Sequence, residues 1–111
     1  MNGYYELKTT AAGKSLFNLK AGNHEVILTS QSYESKKAAQ GGIASVRKNG
    51  QNEKFFEKKN SVKGEPYFVL KATNGQVIGT SEMYKSESSR NGGIASVMRN
   101  CASEKVVEPK A

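Results

Sequence analysis

The 111-residue chain carries 17 Lys and Arg against 10 Asp and Glu, a formal net charge of +7, and a single cysteine. One cysteine excludes an internal disulfide and any cysteine-built metal cluster, and no apolar stretch approaches the ~18 residues that span a bilayer as a helix. The opening MNGYYELKTT has no basic region followed by an apolar one, so no secretory signal is expected and the reading is a cytoplasmic protein without a membrane partner.

The first element, Tyr4-Tyr5-Glu6-Leu7-Lys8, begins as strand-like alternation and meets a glycine turn at Gly13. Phe17, Leu19 and Ala21 then share one face while Asn18 and Lys20 share the other, the period of two of a half-buried strand. The chain turns at Gly22-Asn23-His24 and resumes as a strand through Val26 to Ser30. Ser35 stands where a helix N-cap is wanted. Behind it Ala39, Gly42, Ile43 and Val46 recur at i, i+3, i+4, i+7, the apolar face of a helix. Asn49 and Gly50 read as stop signals, and Arg47 and Lys48 in the last turn favour the helix dipole.

The same sentence is then written again. Residues 17–50 fall on residues 68–101 at a constant offset of 51, with 18 of 34 positions identical and no gap. The second copy repeats the strand face with Phe68, Leu70 and Ala72, and its turn is Asn74-Gly75, a strong hairpin signal because both central residues want positive φ. His24 occupies the glycine position of the first turn, so Asn23 and Asn74 are turn formers before anything else. Ser86 is the second cap, and Gly93, Ile94, Val97 and Cys101 form the second helical face. Tyr5-Glu6 meets Phe56-Glu57, so the repeats are placed at 4–53 and 55–104, followed by a flexible C-terminal tail at 105–111 that includes Pro109.

The doubled motif Gly-Gly-Ile-Ala-Ser-Val at 41–46 and 92–97 has a glycine pair that a phosphate loop would use. No Walker lysine follows and the G-x-G-x-x-G spacing is absent. Gly42 and Gly93 are read instead as mid-helix glycines that let the helix approach the sheet, offsetting a propensity cost of about 1 kcal/mol each.

Taken together, LKAxNxxVI, TSxxYxS and GIASVxxN, each present twice, resemble the YegP-like family of small bacterial proteins built from a domain of unknown function. The resemblance covers residues 4–104. It implies an α+β fold in which each repeat supplies about three antiparallel strands and a helix, and single-repeat members that pair as homodimers. It implies no activity and no catalytic residue. This chain departs from exact repetition at His24 against Gly75, Leu28 against Gly79 and Ala39 against Arg90.

Candidate chemistry is sparse. His24 has no second ligand at useful spacing, so no metal or cofactor is expected. Cys101 lies near Arg99 and Lys105 and is read as a small packing residue rather than a reactive thiol. Ser81, Tyr84 and Lys85 spell a Ser–Tyr–Lys set, but Glu34 replaces the lysine in the first copy, and a serine needs a positioned base. The chain is therefore read as not an enzyme.

The fold expected is a tandem β-β-β-α duplication forming one pseudo-two-fold antiparallel sheet with two helices on it, monomeric or homodimeric. Function reads as a non-catalytic binding or scaffold protein whose partner, protein or nucleic acid, the sequence does not name. The alternative is a weak nucleic-acid or polyanion binder using Lys8, Lys20 and Lys71 on an exposed basic sheet face, with Tyr4, Phe55 or Tyr67 available to stack on bases.

Overall fold

The computed structural model describes residues 3–108. Its strands are β1 (Tyr4–Thr9), β2 (Ser15–Lys20), β3 (Val26–Ser30), β4 (Phe56–Asn60), β5 (Pro66–Lys71), β6 (Val77–Thr80) and β7 (Val106–Val107), and its helices are α1 (Lys36–Asn49) and α2 (Glu87–Asn100). The architecture is α+β, with one seven-stranded sheet in the order β4-β5-β6-β3-β2-β1-β7. The first three strands and α1 fall within the first repeat, the next three and α2 within the second.

The period-two segments became strands for the expected reason. Phe17 and Leu19, like Phe68 and Leu70, are fully buried on the side that the helices cover. Both hairpins turn as the asparagines dictate: the Asn23 side chain accepts from the Glu25 amide at 3.1 Å, and Asn74 accepts from Gln76 at 3.0 Å. Gly75 has φ of 84°, and His24 adopts 72° without being glycine. Each repeat also slips register once, between Leu19 and Lys20 and between Leu70 and Lys71.

The caps form where the serines stand. Ser35 Oγ accepts from the Ala38 amide at 3.1 Å and Ser86 Oγ from the Ser89 amide at 3.0 Å. At the other end Gly50 is a helical residue with φ of −68°, so its role is close packing rather than a left-handed stop. A Cβ there would lie 2.7 Å from the Val46 carbonyl oxygen and 2.9 Å from Cys101 Cβ.

The repeats meet along β3 and β6, paired antiparallel through Thr29↔Thr80 and Ser30↔Gly79. Helix α1 packs on β2 and reaches across to β6, while α2 packs on β5 and reaches across to β3. Ile43 and Val46 of α1 therefore share one continuous core with Phe68, Leu70, Ile94 and Val97 of the second repeat. Each such side chain contributes about 1.5–3 kcal/mol by leaving water.

Two segments differ from the sequence reading. Asn18, placed on the outward strand face, is buried there, its Nδ2 donating to Thr29 Oγ1 at 2.9 Å. Within the tail, Val106–Val107 form a strand parallel to β1, because the Tyr5 amide donates to the Lys105 carbonyl at 2.9 Å. Pro109 and the rest of 109–111 lie outside the described residues.

Candidate functional site

Each mid-helix glycine is paired with a tyrosine. The Tyr33 ring stacks on Phe17 with centroids 6.2 Å apart and planes 11° off parallel, and Tyr84 on Phe68 at 6.3 Å and 13°. Both phenols thereby lie across the helix at its glycine. A Cβ on Gly42 would come within 2.7 Å of Tyr33 Cζ, and one on Gly93 within 2.6 Å of Tyr84 Cζ. These glycines serve packing, as read from the sequence, and no phosphate loop is formed.

Beside each tyrosine a groove opens between the helix of one repeat and the hairpin of the other. The first, of about 590 Å³, has Tyr33, Gly42 and Ser45 on one wall and Asn74, Gln76 and Ile78 on the other. The second, of about 310 Å³, has Tyr84, Gly93 and Ser96 facing Asn23, Glu25 and Ile27. Every one of the nine residues lining the first has its counterpart at an offset of 51 among the nine lining the second. Ala72 and Ala21, Val77 and Val26, Gln31 and Glu82 complete the correspondence.

The two grooves differ in charge. Gln31 and Gln76 make the first neutral, and the Gln31 carboxamide donates to the Val77 carbonyl across the repeat boundary. Glu82 and Glu25 make the second acidic. Burial raises the Tyr33 phenol above the ordinary range. Burial does the same to Tyr84, and repulsion from Glu82 and Glu25 adds to it.

The basic sheet residues are not free charges. Glu6 Oε1 lies between Lys20 Nζ at 3.1 Å and Lys8 Nζ at 3.3 Å. The Lys20 ammonium beside it is the largest cause holding the Glu6 carboxyl below its usual range. In the second repeat Lys71 Nζ meets Glu57 at 2.6 Å, with Lys59 at 3.9 Å, and the Glu57 carboxyl is likewise lowered, chiefly by Lys71. The aromatics named with them are engaged too: the Tyr4 hydroxyl bonds His24 Nδ1 at 2.9 Å, and Lys105 lies over its ring. Lys54 lies over Phe55.

The other candidates fall apart in space. Ser81 is buried, its Oγ accepting from the Phe68 amide at 3.0 Å and donating to the Glu82 carbonyl at 2.8 Å, while Lys85 is exposed. Ser30 does the same for Phe17 and Gln31, so these serines stitch the strand end to its neighbour. Cys101 is buried and burial raises its thiol. Among the described residues no three His, Cys, Asp or Glu side chains converge as metal ligands, and no helix is long and apolar enough to cross a membrane.

The sequence shows the tyrosine of each TSxxYxS motif but not the groove beside it. Nothing local tells that the opposite wall comes from the hairpin of the other repeat, about 40 residues from Tyr33 and about 60 from Tyr84.

Comparison with known proteins accords with this duplicated arrangement. The model of a domain of unknown function, DUF1508, matches twice, over residues 11–57 and 61–108. The chain belongs to the YegP-like, or UPF0339, family. YegP of Escherichia coli K12 is 50% identical over 106 residues, covering 96% of either chain. UPF0339 protein MS1092 of Mannheimia succiniciproducens is 55% identical over 100 residues, covering 90% of this chain and 88% of its own. The solution NMR structure of E. coli yegP, titled as a protein of unknown function, superposes with a TM-score of 0.92 at 49% identity over 97% of this chain and 93% of that one. UPF0339 protein SO3888 of Shewanella oneidensis gives 0.91 at 45% identity over 97% and 92%.

Proposed function

We propose that this YegP-like protein is a non-catalytic binding or scaffold protein, a single pseudo-two-fold unit in which each repeat completes the core of the other. Its contact sites are the two helix–hairpin grooves. The observation that carries this reading is the correspondence at an offset of 51 of all nine residues in one groove with the nine in the other. Packing alone would preserve the core; the half-buried Ser45 and Ser96 and the exposed Asn74 and Asn23 lie at groove walls where packing asks less. Two like grooves in one small chain suit a bivalent contact, in which the second engagement is intramolecular. No cofactor or metal enters this reading, and the site of action is the cytoplasm.

A second reading rests on Lys8, Lys20, Lys59 and Lys71, which project from the sheet face away from the helices and would attract a polyanion. It is weaker because Glu6 and Glu57 lie among those lysines and lower the potential they present.

Amide NMR titrations distinguish the two. Pools of short peptides are expected to shift Ser45 and Asn74 together with Ser96 and Asn23. Single-stranded RNA, duplex DNA and polyphosphate are titrated separately at ~50 and ~200 mM salt, where a true polyanion contact fades steeply through counterion release. Shifts confined to Lys8, Lys20 and Lys71 with that salt dependence would replace the groove reading by the second one. A flat response to peptides removes the groove reading.

A further inference from the structure

Three segments of this chain, spaced by 51 residues, share one pattern: Tyr4-Tyr5-Glu6-Leu7-Lys8, Phe55-Phe56-Glu57-Lys58-Lys59 and Val106-Val107-Glu108-Pro109-Lys110. Each is two apolar residues, a glutamate, one variable residue and a lysine. The fold provides two equivalent seats for such a strand. β1 lies on the edge of β2 with Glu6 opposite Asn18, and β4 lies on the edge of β5 with Glu57 opposite Val69. The third segment starts β7, outside β1. The two family matches end at Glu57 and at Glu108, which makes the C-terminal segment the counterpart of β4 rather than an appendage.

We infer that the edge of β2 is a binding seat for a strand of this pattern, and that residues 106–110 are a second occupant for it, competing with β1 within the same chain. Polarity permits the exchange. β7 runs parallel to β1 with Val106 level with Tyr5, so the segment already runs in the direction the seat needs. To bring Val107 to the Tyr5 place it moves sideways by one strand spacing, ~4.8 Å, and slips one residue along the strand, ~3.3 Å, turning over as it does so.

The hydrogen-bonding pattern permits it as well. The Tyr5 amide points at the Lys105 carbonyl, away from β2, so by alternation the Glu6 amide faces β2 and the Leu7 amide faces outward. Pro109 falls at the Leu7 position, where a missing N–H costs the β2 ladder nothing. Side-chain chemistry follows the same register: Val107 and Pro109 take the buried places of Tyr5 and Leu7, and Glu108 takes that of Glu6 beside Lys20. Tyr5 fills more of the core than valine and bonds the Cys101 carbonyl, which makes β1 the usual occupant. When the C-terminal segment is seated, the N-terminal strand with its Tyr4-Tyr5 pair is released as an extended segment for another sheet edge.

The test uses the full-length chain with Glu6→Pro, which removes the amide that β1 directs at β2, read by amide hydrogen exchange and urea unfolding. The variant is expected to stay folded, with protection moved from residues 4–9 to the C-terminal segment and exchange at Glu108 slowed roughly tenfold or more. Adding Val107→Asp to Glu6→Pro is then expected to abolish the fold, while Val107→Asp alone is tolerated. A Glu6→Pro chain that unfolds overturns the inference. So does one that folds with Glu108 unprotected, or a double variant as stable as Glu6→Pro alone.

Discussion

Leu28 occupies the space that a side chain at position 79 would need: a Cβ on Gly79 would lie 2.7 Å from Leu28 Cγ. The two positions are counterparts at an offset of 51, and they meet because β3 and β6 are neighbours at the junction of the repeats. One leucine fills the junction; two would collide. Gly79→Ala is therefore expected to destabilise the fold by about 1–3 kcal/mol through overpacking, and Leu28→Ala by about 2–5 kcal/mol through the cavity it leaves. Urea unfolding of both variants and of the double variant checks the coupling. The double variant should cost less than the sum, since alanine at 28 makes room for alanine at 79.

Adjacent glycines in the helices are expected to respond with opposite sign. Around Gly41 and Gly92 nothing lies within 4 Å of an added Cβ, whereas at Gly42 and Gly93 the tyrosine rings stand in the way. Gly41→Ala should stabilise by about 1 kcal/mol from helix propensity alone. Gly42→Ala gains the same propensity but must displace the Tyr33 ring from Phe17, a net loss of about 1–3 kcal/mol. Thermal melts of the two single variants decide between this packing role and any role for both glycines in ligand contact.

Acid should weaken the sheet through Glu6 and Glu57. Both carboxyls are lowered in the folded state from 4.5, chiefly by Lys20 and Lys71 respectively. A group whose folded value is depressed stabilises above its unfolded value and loses that contribution as pH falls through the folded one. Urea midpoints are thus expected to hold from neutral pH to about 5 and to decline below 4.5, the unfolded reference for both groups. In the Glu6→Gln variant that decline should be shallower, and an unchanged profile would show that the Lys8–Glu6–Lys20 cluster adds nothing.

Cys101 should be a reporter of global opening. It is fully buried and burial raises its thiol, so both access and thiolate are scarce in the folded chain. Labelling by a thiol reagent is expected to be slow in native buffer and to accelerate with urea in step with unfolding. Rapid labelling of the native protein would mean that the C-terminal end of α2 opens on its own.

Tyr5 tests the matched end contacts. Its hydroxyl donates to the Cys101 carbonyl and Arg47 lies over its ring with 5.3 Å to the centroid; at an offset of 51 stand Phe56 and Met98. Tyr5→Phe is expected to cost about 1 kcal/mol for the lost hydrogen bond, measured by urea unfolding.

Much of this protein is legible one segment at a time. Period two across Phe17 to Ala21 makes a strand, period 3.6 across Ala39 to Val46 makes a helix, and Ser35, Ser86, Asn23 and Asn74 act within their own three or four residues. Backbone geometry alone enforces those outcomes, and writing the sentence twice shows that there are two such units. What depends on residues some 40 to 100 apart was settled only by packing. The order of strands lays α1 across β6 and α2 across β3, which builds the two grooves; it brings Leu28 onto Gly79, and it seats Lys105 and Val106 against Tyr5. Periodicity specifies which face of a segment is apolar, but only the common core specifies which other segment covers it.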